Sequence, residues 1–391
     1  MPRLLTIWLI VMLSWVKVWA KPVELYTEVS RPYQSVDDGE LNGTVVDTVR
    51  CILENMNMGY RIKLSPWKRA SQSLKMGSVD GFFSSTYNQV LSNSATLTYP
   101  LVLEKWYWLY TGDTPNFDML GVVHGSTQDA WLSGQASFDI IVRANDAAHL
   151  INLLLKGRIE VMALDINSFN SEIASGLYAK ERVSQINAKF LKYSALGVYF
   201  NNEFVSENTG FLDRFNSYIP ACSSVSYSLD KKEQLALDQF ARQKLVPLSN
   251  NGLVHQALKD GNQNEHNHKN NSFNMLMSNE LSQHLIDIQQ QSQGIISEIM
   301  IFDASGYNVA QSVETSDVWQ GDEAKYLKLL TGINIFIDDI QYDPSTNLFQ
   351  SQISIPIREY QTGRFIGGMT VGVNLEQFFQ HDISLMDENV F

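Results

Sequence analysis

A short pattern that occurs twice constrains the fold of this chain more than any other feature. The two copies span residues 74–83 and 154–162. Each has a helical segment, a glycine stop, an acidic residue in a short turn and an apolar run suited to a buried strand. Two such units favour two similar α/β lobes, and the cleft between two lobes is where a small molecule would bind.

The N-terminus predicts a secretion signal. Arg3 supplies a positive charge, residues 4–16 form an apolar stretch too short to span a bilayer comfortably, and cleavage is expected after Ala20. An uncleaved membrane anchor is the alternative. No later apolar stretch reaches about 18 residues, so residues 1–20 are interpreted as a signal peptide and the mature protein is expected in the periplasm.

Composition narrows the classes of partner. The 391 residues are 44% hydrophobic and 18% charged, which allows two or three domains with buried cores. The formal net charge of -13 argues against nucleic acid as a partner, because phosphate binding requires clustered Lys and Arg. Neither G-x-S-x-G, H-E-x-x-H nor a Walker motif is present, so we expect no enzyme activity and no cofactor.

The two cysteines, Cys51 and Cys222, form a matched pair. In an oxidising compartment such a pair favours a disulfide, and two buried free thiols are the alternative.

Alternating strands and helices after the signal predict a parallel sheet covered by helices. We expect lobe 1 to comprise residues 21–112 and 195–250, and lobe 2 residues 113–194. Hinge strands are expected near 106–110 and 196–200, and two helices near 209–218 and 231–244 are assigned to lobe 1.

The last third of the chain follows another pattern. Residues 251–271 are interpreted as a linker, rich in Asn and His in its second half. His266 and His268 lie in that half without a Cys or acidic cluster, so no metal site is expected. A helix near 273–291 and strands near 298–303, 309–313, 350–357 and 365–373 predict a small antiparallel α+β domain over 272–391.

Several short motifs follow one another along the chain: Arg-Pro-Tyr at 31–33, Asp-Gly-Glu-Leu-Asn-Gly at 38–43, Trp67, Gly-Ser-Val-Asp-Gly at 77–81, Leu-Thr-Tyr-Pro at 97–100, Gly-Val-Val-His-Gly-Ser-Thr at 121–127 and Gly-Arg-Ile-Glu at 157–160. In the order and spacing of these motifs, residues 22–247 resemble a bacterial family 3 extracellular solute-binding protein. The resemblance implies an α/β chain with the two-lobed periplasmic-binding-protein type II fold.

The resemblance also implies a ligand site between the lobes. Its candidate residues are Tyr33, Trp67, Arg69, Ser84 and Ser85 in lobe 1, and Gly125, Ser126, Thr127 and Asp165 in lobe 2. Core packing, helix capping or surface exposure are the alternative roles of these side chains. Relatives that bind amino acids carry an Arg near residue 91, where this chain has Leu91, so binding of ordinary α-amino acids is in doubt.

Residues 272–382 resemble an extracytoplasmic Cache sensor domain, which has a PAS-like fold. The segments that carry this resemblance are 300–306, 309–312, 319–325, 355–357 and 367–368. By resemblance, Trp319, Asp322, Tyr326 and Arg358 are candidates for a second pocket. The alternative for this group is an ordinary helix start with acidic residues near its positive end.

Two functions remain open. One is a periplasmic sensor that closes on a small-molecule ligand and signals to an inner-membrane protein. The other is the solute receptor of an ABC import system. A C-terminal sensor-like domain is superfluous for import, so the sequence favours sensing.

Overall fold

The computed structural model describes residues 21–381 except 136–137, 139, 224–226, 264–272, 316 and 344–347. The predicted signal peptide, and the part of the predicted linker that contains His266 and His268, lie outside the described residues.

Strands and helices alternate through most of the described chain. The strands are β1 (Val23–Thr27), β2 (Ser35–Asp37), β3 (Glu40–Asn42), β4 (Tyr60–Leu64), β5 (Gly81–Ser85), β6 (Ala95–Leu97), β7 (Val102–Thr111), β8 (Leu120–Val123), β9 (Ile141–Ala144), β10 (Val161–Asp165), β11 (Ile186–Asn201), β12 (Ile296–Asp303), β13 (Asn308–Gln311), β14 (Phe336–Ile337), β15 (Gln341–Asp343), β16 (Leu348–Arg358) and β17 (Phe365–Asn374). The α-helices are α1 (Thr44–Asn55), α2 (Trp67–Lys75), α3 (Gln89–Ser92), α4 (Thr127–Ser133), α5 (Ala147–Leu155), α6 (Ile166–Ala174), α7 (Lys180–Val183), α8 (Asn202–Glu207), α9 (Phe211–Cys222), α10 (Lys231–Phe240), α11 (Val246–Ser249), α12 (Gly252–Gln263), α13 (Phe273–Ser278), α14 (Glu280–Gln291), α15 (Ala324–Leu330) and α16 (Leu375–Gln380), with a π-helical turn (Ala241–Leu245) between α10 and α11.

Both copies of the repeated sequence pattern fold in the same way. Gly77 follows α2 with φ 66°, and Gly157 follows α5 with φ 64°. In each copy the next backbone N–H donates back into the last helical turn at 2.9 to 3.0 Å, which is the Schellman arrangement that a left-handed glycine permits. The strands that follow, β5 and β10, are buried along their whole length. The predicted helix, glycine and strand order is therefore confirmed in both copies.

One nine-stranded sheet runs through both lobes in the order β4-β1-β5-β11-β7-β10-β8-β9, with β6 paired to β11. In lobe 1, β1 pairs in parallel with β4 and β5. In lobe 2, β8 pairs in parallel with β10 and β9. Each lobe keeps its own apolar clusters, one set around α1 and β1 and another around α5 and β10.

Two antiparallel strands, β7 and β11, cross between the lobes in the middle of this sheet. They are the hinge strands expected from the sequence, but β11 is far longer than predicted because it continues through the second lobe. Their pairing is irregular between Phe190 and Lys192, which marks a bulge in β11.

A disulfide joins the two helices on the outer face of lobe 1. Cys51 in α1 is bonded to Cys222 at the end of α9, and α9 buries Phe211, Phe215 and Ile219 in the same cluster as α1. The predicted disulfide is therefore present, and no free cysteine occurs in the described chain.

The helix predicted near 231–244 packs differently from the expectation. It was assigned to lobe 1, but Leu237 and Phe240 of α10 lie in one apolar cluster with Ile299, Val371 and other residues of the C-terminal sheet. The first part of the predicted linker is also structured. It forms α12, which buries Val254 and Leu258 in this cluster.

We call residues 273–380, from α13 to α16, the C-terminal unit. Its antiparallel sheet has the order β13-β12-β17-β16-β14, with β15 paired to β16. The single helix predicted near 273–291 is interrupted at Asn279, whose side chain caps α14. α15 packs on Phe302 through Tyr326 and Leu329. None of the helices that the structure describes has the length and apolar character needed to cross a membrane.

Candidate ligand-binding site

A cavity of about 540 Å³ lies where the two lobes, the crossing strands and the C-terminal unit meet. Its volume lies in the range typical of sites for small organic molecules. Its lining includes Thr86, Asn88, Thr98 and Pro100 of lobe 1, Trp106, Lys192, Tyr193, Ser194 and Ala195 of the crossing strands, Thr127, Ala130 and Trp131 of lobe 2, and Tyr342, Phe349, Asn374, Glu376 and Gln377 of the C-terminal unit.

The sheet explains why the polar side chains of the two lobes converge on this cavity. Thr86 directly follows β5, and Thr127 begins the helix after β8. Ligands of open α/β sheets bind outside the carboxyl ends of such strands.

Two tryptophans and a lysine form one wall of the cavity. The rings of Trp106 and Trp131 meet edge to face, with their centroids 6.1 Å apart. The Lys192 ammonium lies 5.8 Å from the centroid of each ring, so it faces both π-systems.

Glu376 places a carboxylate of the C-terminal unit on the opposite side of this lysine. Its Oε2 accepts the backbone N–H of Tyr193 at 3.1 Å. Burial raises the pKa of Glu376, while attraction to Lys192 and the Tyr193 N–H act in the opposite direction. The cavity thus has one cationic and one carboxylate side chain among its described lining residues.

Beside the cavity, Tyr33 and Asp165 join the lobes directly. The Tyr33 hydroxyl donates to Asp165 Oδ2 at 2.9 Å and accepts from Asn167 Nδ2 at 3.1 Å. The other Asp165 oxygen accepts the Lys105 N–H at 2.9 Å, and Oδ2 also caps α6 through the Ser168 N–H. Both side chains are buried, so in this closed arrangement Asp165 bonds to protein donors.

A second buried carboxylate, Glu104, lies next to this pair. Its Oε2 accepts from Trp106 Nε1 at 2.7 Å and from the Thr127 hydroxyl at 3.4 Å. Burial, with the negative charge of Asp165 as a further cause, raises the pKa of Glu104 to about 8. Burial likewise raises the pKa of Asp165. The two carboxyl groups lie behind the cavity wall formed by Trp106 and Thr127.

Gln34 and Ser84 complete the closed part of the cleft. Gln34 is fully buried and its Nε2 donates to Ser84 Oγ, while its Oε1 has no hydrogen-bond partner among the described residues. Ser84 has φ 65°, a strained conformation for a residue with a side chain.

The predicted lobe 2 residues at the start of α4 form hydrogen bonds within the chain itself. The Gly125 N–H donates to Asp129 Oδ2 at 2.9 Å, and the Ser126 hydroxyl caps the helix by accepting the Asp129 N–H. Arg143 Nε also donates to this Asp129 carboxylate, at 2.8 Å. Of the predicted residues Gly125, Ser126 and Thr127, Thr127 lines the cavity.

The remaining predicted residues of lobe 1 lie away from the cavity. Trp67 is half-buried against the apolar cluster of α2, and Arg69 is exposed and forms no ion pair with any described residue. Ser85 is buried in β5 and its hydroxyl donates to the Thr86 carbonyl at 3.4 Å.

Three of the four predicted residues of the C-terminal unit form local hydrogen bonds, and the fourth, Asp322, is exposed. Trp319 Nε1 donates to the Ser305 carbonyl, and the Tyr326 hydroxyl donates to the Ala304 carbonyl. Arg358 Nη1 donates to the Gly363 carbonyl at 3.4 Å within a hairpin. Nowhere in the described chain do three His, Cys, Asp or Glu side chains group as a metal would require.

Sequence reasoning missed Glu104, Trp131, Lys192 and Glu376. One signal was available for Glu104: together with Lys105 it interrupts a run of apolar and aromatic residues in β7, where a buried carboxylate is costly unless it is paired. Lys192 and Glu376 gave no comparable signal, because their roles depend on how the C-terminal unit packs on β11.

The two lobes, the pair of crossing strands and the cleft at the carboxyl ends of parallel strands define the two-lobed periplasmic-binding-protein type II fold. A smaller antiparallel α+β unit follows it. The fold class predicted from the sequence is confirmed.

Comparisons with solved structures gave similar proteins of low identity. A histidine kinase sensor domain with similarity to periplasmic binding proteins is 16% identical over 52% of this chain and 90% of that chain, with a TM-score of 0.44. The arginine-, lysine-, histidine-binding protein ArtJ from the thermophilic bacterium Geobacillus stearothermophilus is 17% identical over 51% and 89%, with a TM-score of 0.41. The ligand-binding core of GluR0 in complex with L-glutamate is 13% identical over 52% and 93%, with a TM-score of 0.43. No family profile and no curated protein matches the sequence.

Proposed function

We propose that this chain is a secreted binding protein that holds one small polar molecule in the cavity between its lobes and reports the occupied state to a membrane protein. The observation that carries the proposal is the cavity itself, because both lobes, the crossing strands and the C-terminal unit all contribute to its lining. A ligand in this cavity would contact both lobes and the C-terminal unit, and it would therefore stabilise the arrangement in which these parts surround it.

The chemistry of the lining supports a binder and not an enzyme. The described lining combines indole rings, hydroxyls, amides, one ammonium and one carboxylate, which are groups that hold and orient a polar molecule. The proposal therefore includes no cofactor and no nucleic acid.

The C-terminal unit favours sensing over import. Asn374, Glu376 and Gln377 line the cavity, so a ligand held there would contact α16 and its N-cap directly. A receptor that only delivers its solute to a transporter does not need a second unit that contributes to the lining of the cavity. In this proposal the C-terminal unit, which resembles a Cache domain, presents the signal to an inner-membrane partner, and the signal peptide expected at 1–20 places the protein in the periplasm.

Native mass spectrometry of the full chain, purified from a periplasmic extract without unfolding, tests the proposal. We expect wild type to carry a small molecule, and Ala130→Trp to lose it because the indole projects from α4 into the cavity. Ala174→Trp is the matched control, since Ala174 is exposed at the end of α6 and lies outside the lining. A molecule retained equally by Ala130→Trp, or a wild-type protein that carries none, contradicts the proposal.

A further inference from the structure

The bulge in β11 is held by side chains of the C-terminal unit. Gln380 Nε2 donates to the Leu191 carbonyl at 2.7 Å, and Glu376 Oε2 accepts the Tyr193 N–H at 3.1 Å. Both backbone groups flank Lys192, where the pairing of β11 with β7 is irregular. A bulge redirects a side chain, and these two contacts from α16 hold the backbone on both sides of Lys192.

Lys192 points into the cavity with its charge incompletely matched. Its ammonium faces two indole rings, and it has neither a hydrogen-bond acceptor nor an ion pair among the described residues. An ammonium has three donors, and a half-buried one without acceptors is poised to accept an anion.

The other charge in the cavity does not satisfy this ammonium. Glu376 forms no ion pair with Lys192 within 4.0 Å among the described residues, and one of its carboxylate oxygens accepts the Tyr193 N–H. The attraction between Glu376 and Lys192 therefore acts over a distance and leaves the three ammonium donors without a direct acceptor in the described part of the chain.

We propose that the occupant of this cavity carries an anionic oxygen group, a carboxylate or a phosphate, which Lys192 binds beside Trp106 and Trp131. Gln380 and Glu376 are positioning residues that keep Lys192 in place. This inference rests on the proposed function, because it names the ligand class of the same cavity.

Quenching of the Trp131 fluorescence by small probes separates the two proposals. The Trp131 contribution is the difference between each protein and its Trp131→Phe variant. Neutral acrylamide reports whether the cavity is open, and iodide reports whether it attracts an anion. We expect acrylamide to quench wild type and Lys192→Met equally. We expect iodide to quench wild type at least several-fold more strongly than it quenches Lys192→Met.

Matched variants locate the effect. Lys189→Met removes the same charge from an exposed position of β11 and is expected to leave iodide quenching unchanged. Lys192→Arg keeps the charge and is expected to retain the iodide response. Gln380→Ala changes no charge, and we expect it to reduce iodide quenching without altering acrylamide quenching.

Competition with acetate and with inorganic phosphate, at matched ionic strength, identifies the anionic group by which of the two displaces iodide. If acrylamide quenches but iodide quenching does not depend on Lys192, the anion proposal is overturned while the cavity stands. The quenching is measured on protein from which the co-purified molecule has been removed by exhaustive dialysis. If neither probe reaches Trp131 in this emptied protein, the cavity is closed to solutes and both proposals fail.

Discussion

Tyr33 and Asp165 show how one contact closes the cleft at the scale of single residues. They belong to different lobes, and the Tyr33 hydroxyl reaches the carboxylate that also caps α6. Ser168 Oγ adds a second bridge by donating to the Arg31 carbonyl at 2.9 Å. The closed arrangement is thus held by protein groups next to the cavity.

Replacing Tyr33 by Phe tests this bridge. We expect the free energy of unfolding to fall by about 1–3 kcal/mol, because a buried carboxylate loses a hydrogen bond. Urea denaturation measures the change. Tyr26→Phe is the control, since the half-buried Tyr26 hydroxyl has no hydrogen bond with a described residue. Equal losses in the two variants would show that the bridge contributes nothing.

Glu104 predicts a dependence of stability on pH. In the unfolded chain its carboxyl ionises near a pKa of about 4.3, and in the folded chain burial raises the pKa to about 8. Between these values the folded state binds more protons, so the free energy of unfolding falls as pH rises through this window. Below and above the window Glu104 contributes no slope.

Glu104→Gln mimics the protonated side chain and keeps the acceptor for Trp106 Nε1. Its stability relative to wild type is expected to rise with pH inside the window by up to about 1.4 kcal/mol per pH unit. Guanidinium denaturation across that pH range measures the difference, with the exposed Glu207→Gln as control. A difference between Glu104→Gln and wild type that stays constant with pH contradicts the assignment.

At this scale the sequence predicted where some polar side chains lie, but not what they bind. Asp165 and Thr127 were predictable because they follow buried strands, where α/β sheets place functional side chains. Lys192 was not, because a bulge and the packing of a distant helix determine its direction. The sequence of β11 indicates neither the bulge nor the helix that packs against it.

At the scale of elements, Glu233 of α10 forms polar contacts with both crossing strands. Its Oε2 lies 2.5 Å from Lys105 Nζ on β7, and its Oε1 accepts the Tyr193 hydroxyl on β11 at 3.1 Å. Glu233 also completes a capping box with Asp230 at the start of α10. Lys105 and Glu233 are both buried, so their charges depend on each other.

Removing one partner of this pair should be costly. Glu233→Gln is expected to destabilise the protein by about 3–5 kcal/mol, because Lys105 is left buried without its counter-charge. The double variant Lys105→Met with Glu233→Leu is expected to regain a large part of that loss, since neither charge remains. Urea denaturation of wild type, the single variants and the double variant measures these free energies of unfolding. A double variant that is less stable than Glu233→Gln would contradict the prediction.

The disulfide between α1 and α9 makes a separate contribution in lobe 1. Replacing Cys51 and Cys222 together by Ala is expected to cost about 2–5 kcal/mol, because a long loop of the unfolded chain is released. The same loss should appear in wild type under reducing conditions and be absent when the variant is reduced. If reduction leaves the stability of wild type unchanged, the bond does not form in the protein.

Prediction from the sequence was strongest for elements with a local signal. The glycine stops at Gly77 and Gly157 and the apolar runs after them defined α2, β5, α5 and β10. The partner of α10 was not predictable, because an amphipathic helix shows which face is buried but not what covers it.

At the scale of the molecule, the C-terminal unit and the crossing strands share one apolar core. Leu103 of β7 and Tyr193 of β11 lie in the same cluster as Ile299 and Val371 of the C-terminal sheet. Tyr227 packs against this core and adds polar links: its hydroxyl donates to the Pro100 carbonyl, and its own carbonyl accepts the Ile340 N–H at 2.7 Å. A hinge movement at β7 and β11 therefore has to move or loosen the C-terminal unit.

The central claim is that a small molecule binds where the two lobes, the crossing strands and the C-terminal unit meet. A crystal structure of the full chain carrying the molecule with which it co-purifies tests this claim most directly. We predict density for that molecule in the cavity, in contact with Thr127 or Trp131, with Lys192 and with α16. Density elsewhere in the protein, or a cavity filled by the protein's own side chains, would contradict the account.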